Sequence, residues 1–113
     1  MHTKNALILA PLLLFTSCSL LQRNSVEIKN ESDEVITGIT FAFADDVHQR
    51  SSLAPGETWS FSPSPDTDGG ISLTYAIGEG EVDHQLGYAA PPNSMTCELT
   101  VAREEVRGDC MQN

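Results

Sequence analysis

From Ser25 to Val101, apolar residues recur at every second position in short runs, and each run is closed by residues that favour turns. A period of two puts successive side chains on opposite faces of an extended strand, whereas an amphipathic helix needs a period near 3.6. The chain is therefore restricted to β-structure with one dry and one wet face. About seven such runs, separated by turn signals at spacings near ten residues, predict an all-β fold. The form expected is a small antiparallel β-sandwich, immunoglobulin-like with Greek-key connections, with a small β-barrel as the alternative.

The first run alternates Val26 and Ile28 with Glu27 and Lys29, and Asn30-Glu31-Ser32-Asp33 supplies turn chemistry. Val35, Thr37, Ile39, Phe41 and Phe43 share the next inward face. Pairing Ile28 with Val35 sets Val26 against Thr37 and leaves Glu27 outside, so a hairpin is expected there. After Ala44-Asp45-Asp46, Val47 to Ser52 reads as a more polar strand that returns along it. Leu53-Ala54-Pro55-Gly56-Glu57 places Pro and Gly in the central positions of a type II turn, and Trp59 and Phe61 alternate beyond it.

Ser62 to Gly70 holds two prolines, two aspartates and two glycines and is expected to be a loop. Ile71, Leu73, Tyr75 and Ile77 then form the cleanest strand, followed by Val82, His84, Leu86 and Tyr88. A three-residue loop between them would set Ile77 against Glu81 and Tyr75 against Asp83, burying carboxylates. A two-residue Gly78-Glu79 loop instead pairs Tyr75 with Val82, Leu73 with His84 and Ile71 with Leu86, and a leading Gly suits a type II′ turn, while a four-residue loop has the same parity. Beyond Pro91-Pro92-Asn93, Met95, Cys97, Leu99 and Val101 face inward. The charged tail from Arg103 to Asn113 stays loose unless a bridge to Cys110 draws it back across the sheet.

Before Ser25 the pattern changes. His2 and Lys4 precede an apolar run from Ala6 to Phe15, and small residues lead into Cys18. Crossing the hydrocarbon core as a helix takes about 20 apolar residues, so this run, interrupted by Pro11, has the order of an export signal instead. Phe15-Thr16-Ser17-Cys18 resembles the lipobox of bacterial lipoprotein precursors, a resemblance that covers the first 18 residues. It implies that residues 1–17 are removed and that Cys18 carries a diacylglycerol thioether, with a further acyl chain such as palmitate on its amine. Two chains suffice for stable anchoring. The resemblance further implies the cell envelope and, with Ser19 rather than Asp after the cysteine, the outer membrane in a host that has two. Residues 18–24 are then the lipidated cysteine and a tether whose span from Ser19 to Asn24 is at most about 20 Å. Residues 25–113 are a single β-domain.

Lipidation of Cys18 leaves Cys97 and Cys110 as one pair, whereas two free thiols are disfavoured by export. A bridge between them closes a loop of 14 residues, counted inclusively, for which the chain-entropy model gives about 3 kcal/mol. Loss of Lys4 with the signal leaves five Lys and Arg against 16 Asp and Glu, a formal charge of 5 − 16 = −11. Such a body is repelled by nucleic acid, and a cationic protein is the partner it favours.

No Gly-x-Ser-x-Gly elbow, His-Glu-x-x-His pair or Cys-x-x-Cys pair is present, so a non-enzymatic domain is expected, with no cofactor beyond the lipid on Cys18. His84 falls on an apolar face opposite Leu73 or Tyr75 and reads as a satisfied or edge-of-core residue. Asp66-Thr67-Asp68-Gly69-Gly70 resembles the start of a calcium loop, but no glutamate follows at the closing position, and Asp and Gly in a turn need no metal. Glu79, Glu81 and Asp83 lie on the outward side of the second hairpin, where a basic partner would dock. A protein-binding or structural envelope lipoprotein is expected. The alternative is an inhibitor of a cationic enzyme such as lysozyme.

Overall fold

The computed structural model describes residues 23–113; the expected signal peptide, residues 1–17, and Cys18 lie outside the described residues. Eight strands follow in order: β1 Ser25–Asn30, β2 Ile36–Phe43, β3 Asp46–Leu53, β4 Thr58–Phe61, β5 Gly69–Ile77, β6 Gly80–Ala89, β7 Met95–Ala102 and β8 Glu105–Gln112. They form two four-stranded sheets, β4-β1-β7-β8 and β3-β2-β5-β6. The pair β1–β7 is parallel and every other pair is antiparallel. The fold is a β-sandwich. β1 pairs with β4 and β2 with β5, while the connections β1–β2 and β4–β5 both cross between sheets. Immunoglobulin-like sandwiches share this interlock of their central strands.

Alternation places Val26, Ile28, Ile36, Ile39, Phe41, Phe43, Ile71, Leu73, Tyr75, Cys97, Leu99 and Val101 in the buried core. Each large apolar side chain so buried contributes roughly 1.5–3 kcal/mol relative to exposure. Tyr75 also reaches across the core, its hydroxyl donating to the Arg103 carbonyl at 2.6 Å. Burial, with the Glu104 charge as a smaller influence, pushes its pKa up to about 12.

The expected first hairpin does not form. Ile28 pairs with Trp59 and Leu99, in a different sheet from β2, so Asn30 to Val35 is a crossing between sheets. Alternation specifies only which face of a strand is dry, and both sheets present their dry face to the same core. The inward set of β2 also differs, because Val35 is 46% exposed and Ile36 is buried. A register shift between Thr37 and Thr40, with Gly38 at φ +55°, restores Ile39, Phe41 and Phe43 to the core.

The second hairpin forms through the two-residue Gly78-Glu79 loop, with Tyr75 opposite Val82 and Leu73 opposite His84. Farther along, Ile71 faces Gly87 rather than Leu86, because a register shift follows Ile71. The shift turns Tyr88 outward to 62% exposure and buries Ala89. Pro55 and Gly56 hold the expected turn, in which the Glu57 amide donates to the Ala54 carbonyl at 3.0 Å and Gly56 has φ +83°. The Ser62 loop ends at Asp68, since Gly69 and Gly70 already belong to β5. The tail becomes an eighth strand: Cys97 lies opposite Cys110 in the β7–β8 ladder, and the two form a disulfide.

Candidate binding surface

Each sheet has an outer face, and the two differ. On β2 and β5 the outward residues are Thr37, Thr40, Ala42, Ser72, Thr74 and Ala76, small and uncharged. On the other sheet, register brings Glu27 beside Glu98 and Glu98 beside Asp109. Three carboxylates on three adjacent strands therefore form one transverse row, all exposed. Adjacent strands lie about 4.8 Å apart, and like charges directly opposite are destabilising. Lys29 and Arg107 occupy the next row, either side of Thr100. Their carboxylate partners, however, are Glu31 at 3.6 Å and Glu105 at 3.4 Å.

The acidic hairpin anticipated from the sequence is at one end of the sandwich. Glu79 sits in the β5–β6 loop, and Glu81 and Asp83 point outward on the edge strand β6. Asp83 accepts a hydrogen bond from Gln85 at 3.2 Å. The β1–β2 and β7–β8 connections lie at the same end, where Arg103 bridges Glu34 at 2.7 Å and Asp33 at 3.1 Å. His84 is half-buried on the inner face of β6 opposite Leu73.

Asp66 and Asp68 lie at the opposite end and do not converge with other ligands. Instead Asp45, in the β2–β3 hairpin, accepts from the Asp66 and Thr67 amides at 2.9 and 3.2 Å and so shapes that loop. Among the described residues, no three His, Cys, Asp or Glu side chains are grouped to hold a metal ion.

One open side of the sandwich is closed by polar groups on the inner face of β3. Asp46 accepts from the Ser64 amide at 2.7 Å and contacts His48 at 3.1 Å. The His48 ring stacks on Phe61 with centroids 4.6 Å apart, and Arg50 bonds Glu57 at 2.6 Å. These contacts join β3 to β4 and the segments beside it, and so give Asp46, His48 and Arg50 a structural role. The Ser64 amide and then His48 hold the Asp46 carboxyl below its ordinary value, and the Thr67 amide chiefly does the same for Asp45. A carboxyl depressed on folding stabilises above its unfolded pKa, and that stability is lost as pH falls through the folded value. The Ser64, Asp66 and Thr67 amide resonances are therefore expected to titrate with midpoints below 3.8, the ordinary aspartate value. Midpoints at or above it would remove these carboxylates as the loop's anchors.

A polar cleft of about 410 Å³ lies where the chain enters the fold, lined by Arg23, Asn24, Ser62, Pro63, Ser64, Pro92 and Ser94. Among the described residues its lining carries hydroxyls, an amide and one guanidinium but neither a carboxylate nor an imidazole.

The carboxylate row escaped sequence reading. Glu27 and Glu98 are each legible as outward residues, but Asp109 falls in the tail expected to stay loose, and the parallel pairing that unites Glu27 with Glu98 joins distant segments. No local periodicity encodes it.

Fold and surface together define a small disulfide-bridged β-sandwich with an acidic row across one sheet and an acidic hairpin at the edge of the other. No protein-family model matches the chain, and no curated protein matches it. Among solved structures, it is similar to the NMR structure of a protein from Eubacterium rectale, with a TM-score of 0.53 and 9% sequence identity. The likeness covers 80% of this chain and 87% of that one and concerns the fold alone.

Proposed function

We propose that the chain is a lipid-anchored protein of the bacterial cell envelope, attached through Cys18, whose sandwich binds a cationic protein and performs no catalysis. The observation that carries the binding role is the row of Glu27, Glu98 and Asp109, in which like charges face one another across strands. Folding gains nothing from this arrangement, and a basic partner would relieve it. The acidic hairpin of Glu79, Glu81 and Asp83 is a second acidic patch, at the edge of the other sheet.

Binding and stability are expected to move in opposite directions. Glu27→Gln with Glu98→Gln should raise stability by about 0.2–1 kcal/mol for each opposed pair removed, read by urea unfolding. The same variant should retain less of any basic envelope protein captured by the wild-type domain, at both low and moderate salt. Capture unchanged by the double variant would sink the proposal, as would retention at low salt alone, which reports unspecific charge.

A further inference from the structure

The place where the chain enters the fold decides which end of the sandwich meets the membrane. Arg23 and Asn24 enter at the end built by the Ala44-Asp45 hairpin, residues 62–68, residues 90–94 and Asn113. Asn24 is clamped there: its amide group donates to the Pro63 carbonyl at 3.2 Å and accepts from the Met95 amide at 2.8 Å. Asn113 adds a bond to the Arg23 carbonyl at 3.3 Å. Between Cys18 and this clamp run only Ser19, Leu20, Leu21, Gln22 and Arg23, so that Cys18 lies at most about 22 Å from Asn24.

Four large apolar side chains are conspicuously exposed among the described residues: Val35 at 46%, Val47 at 52%, Tyr88 at 62% and Met111 at 65%. Singly, such residues need no explanation. Three of the four, however, collect at the entry end. Tyr88 pairs with Gly70 at the start of β5, Met111 with Thr96 at the start of β7, and Val47 follows the Ala44-Asp45 hairpin. Tyr88 is exposed because the strand is irregular beside Gly87, where regular alternation would have turned it inward. Exposed Pro92 lies at the same end.

Resting on the reading of Cys18 as a lipid anchor, we infer that this end docks on the bilayer. Tyr88, Met111, Val47 and Pro92 reach the headgroup region, where an aromatic ring with a polar tip is at home. Strands then stand away from the surface, and the end bearing Glu79 and Glu104 points outward. Asp66 and Asp68 at the docking end oppose anionic lipid, so the surface that fits is a net-neutral one with ammonium headgroups.

The test uses the full chain, processed in a bacterial host, in bilayer nanodiscs of phosphatidylcholine and phosphatidylethanolamine with a nitroxide on some headgroups. Amide signals of Val47, Gly70, Tyr88, Asn93 and Met111 should broaden several-fold more than those of Asp33, Gly56, Gly78 and Glu104. Val47→Ser, Tyr88→Ser and Met111→Ser together should leave the chain in the nanodisc and narrow the contrast to what the short tether alone imposes, and a contrast unchanged by them would overturn docking. Even broadening of both ends in the native chain would overturn docking while leaving the anchor intact. A chain recovered in water, apart from the nanodiscs, would overturn the anchor and the docking together.

Discussion

Replacing Asn30 with leucine should destabilise the domain by about 3 kcal/mol, lowering Tm by roughly 12–24 °C for a domain of this size. Asn30 is completely buried, and its side chain serves as a junction. Its Nδ2 donates to the carbonyls of Glu34 at 2.8 Å and Leu53 at 2.9 Å, and its Oδ1 accepts from the Ser32 amide and hydroxyl at 2.9 and 2.7 Å. Its backbone joins the same knot, donating to the Glu57 carbonyl at 3.0 Å and accepting from the Gly56 amide at 2.7 Å.

One side chain thereby ties the crossing from β1 to β2 to the turn between β3 and β4. Every buried side-chain polar atom among the described residues has a partner. Leucine would leave the Leu53 carbonyl and the Ser32 amide without the partner Asn30 provides, each at about 1–3 kcal/mol. Asn30→Asp isolates the donors, since it keeps the size but sets a carboxylate against two carbonyls, and should be at least as damaging at neutral pH. Losses below about 1 kcal/mol for both variants, by thermal or urea unfolding, would remove Asn30 as a keystone.

The second large effect is expected at the cross-strand bridge. Converting both Cys97 and Cys110 to alanine should lower stability by about 3 kcal/mol, the chain-entropy value for a loop of this length. Cys97 is fully buried and Cys110 packs against the same core, so the bridge pins the edge strand β8 at the end where the chain terminates. The Arg103-Glu104 loop already closes the far end of the β7–β8 hairpin. Loss should therefore appear first as faster amide exchange from Asp109 to Gln112, ahead of residues near Val106. A double variant within 1 kcal/mol of the oxidised protein, with β8 exchange unchanged, would show that pairing alone holds the tail.

Much of this architecture was legible from local pattern. Period-two alternation marked seven of the eight strands, the Gly78-Glu79 loop, and the inward position of Cys97, because each depends on residues close in sequence. The eighth strand was masked by its charges: Glu105, Arg107 and Asp109 alternate with little that is apolar, and β8 is held by its ladder and the disulfide.

The proposal of an exported lipoprotein rests on residues 1–18 alone, and the strongly acidic balance is read from composition. Only the tertiary structure decided which strands share a sheet. It sent β1 and β2 to opposite sheets and laid β1 parallel to β7, so that Glu27, Glu98 and Asp109 stand in one row. It also shifted register beside Gly38 and Gly87, turning Ile36 inward and Tyr88 outward. Alternation states that a side chain is wet or dry, a property of one strand and its solvent. Pairing and register are settled by shape and hydrogen bonding between segments far apart in the chain, and the surface charge pattern follows from that choice.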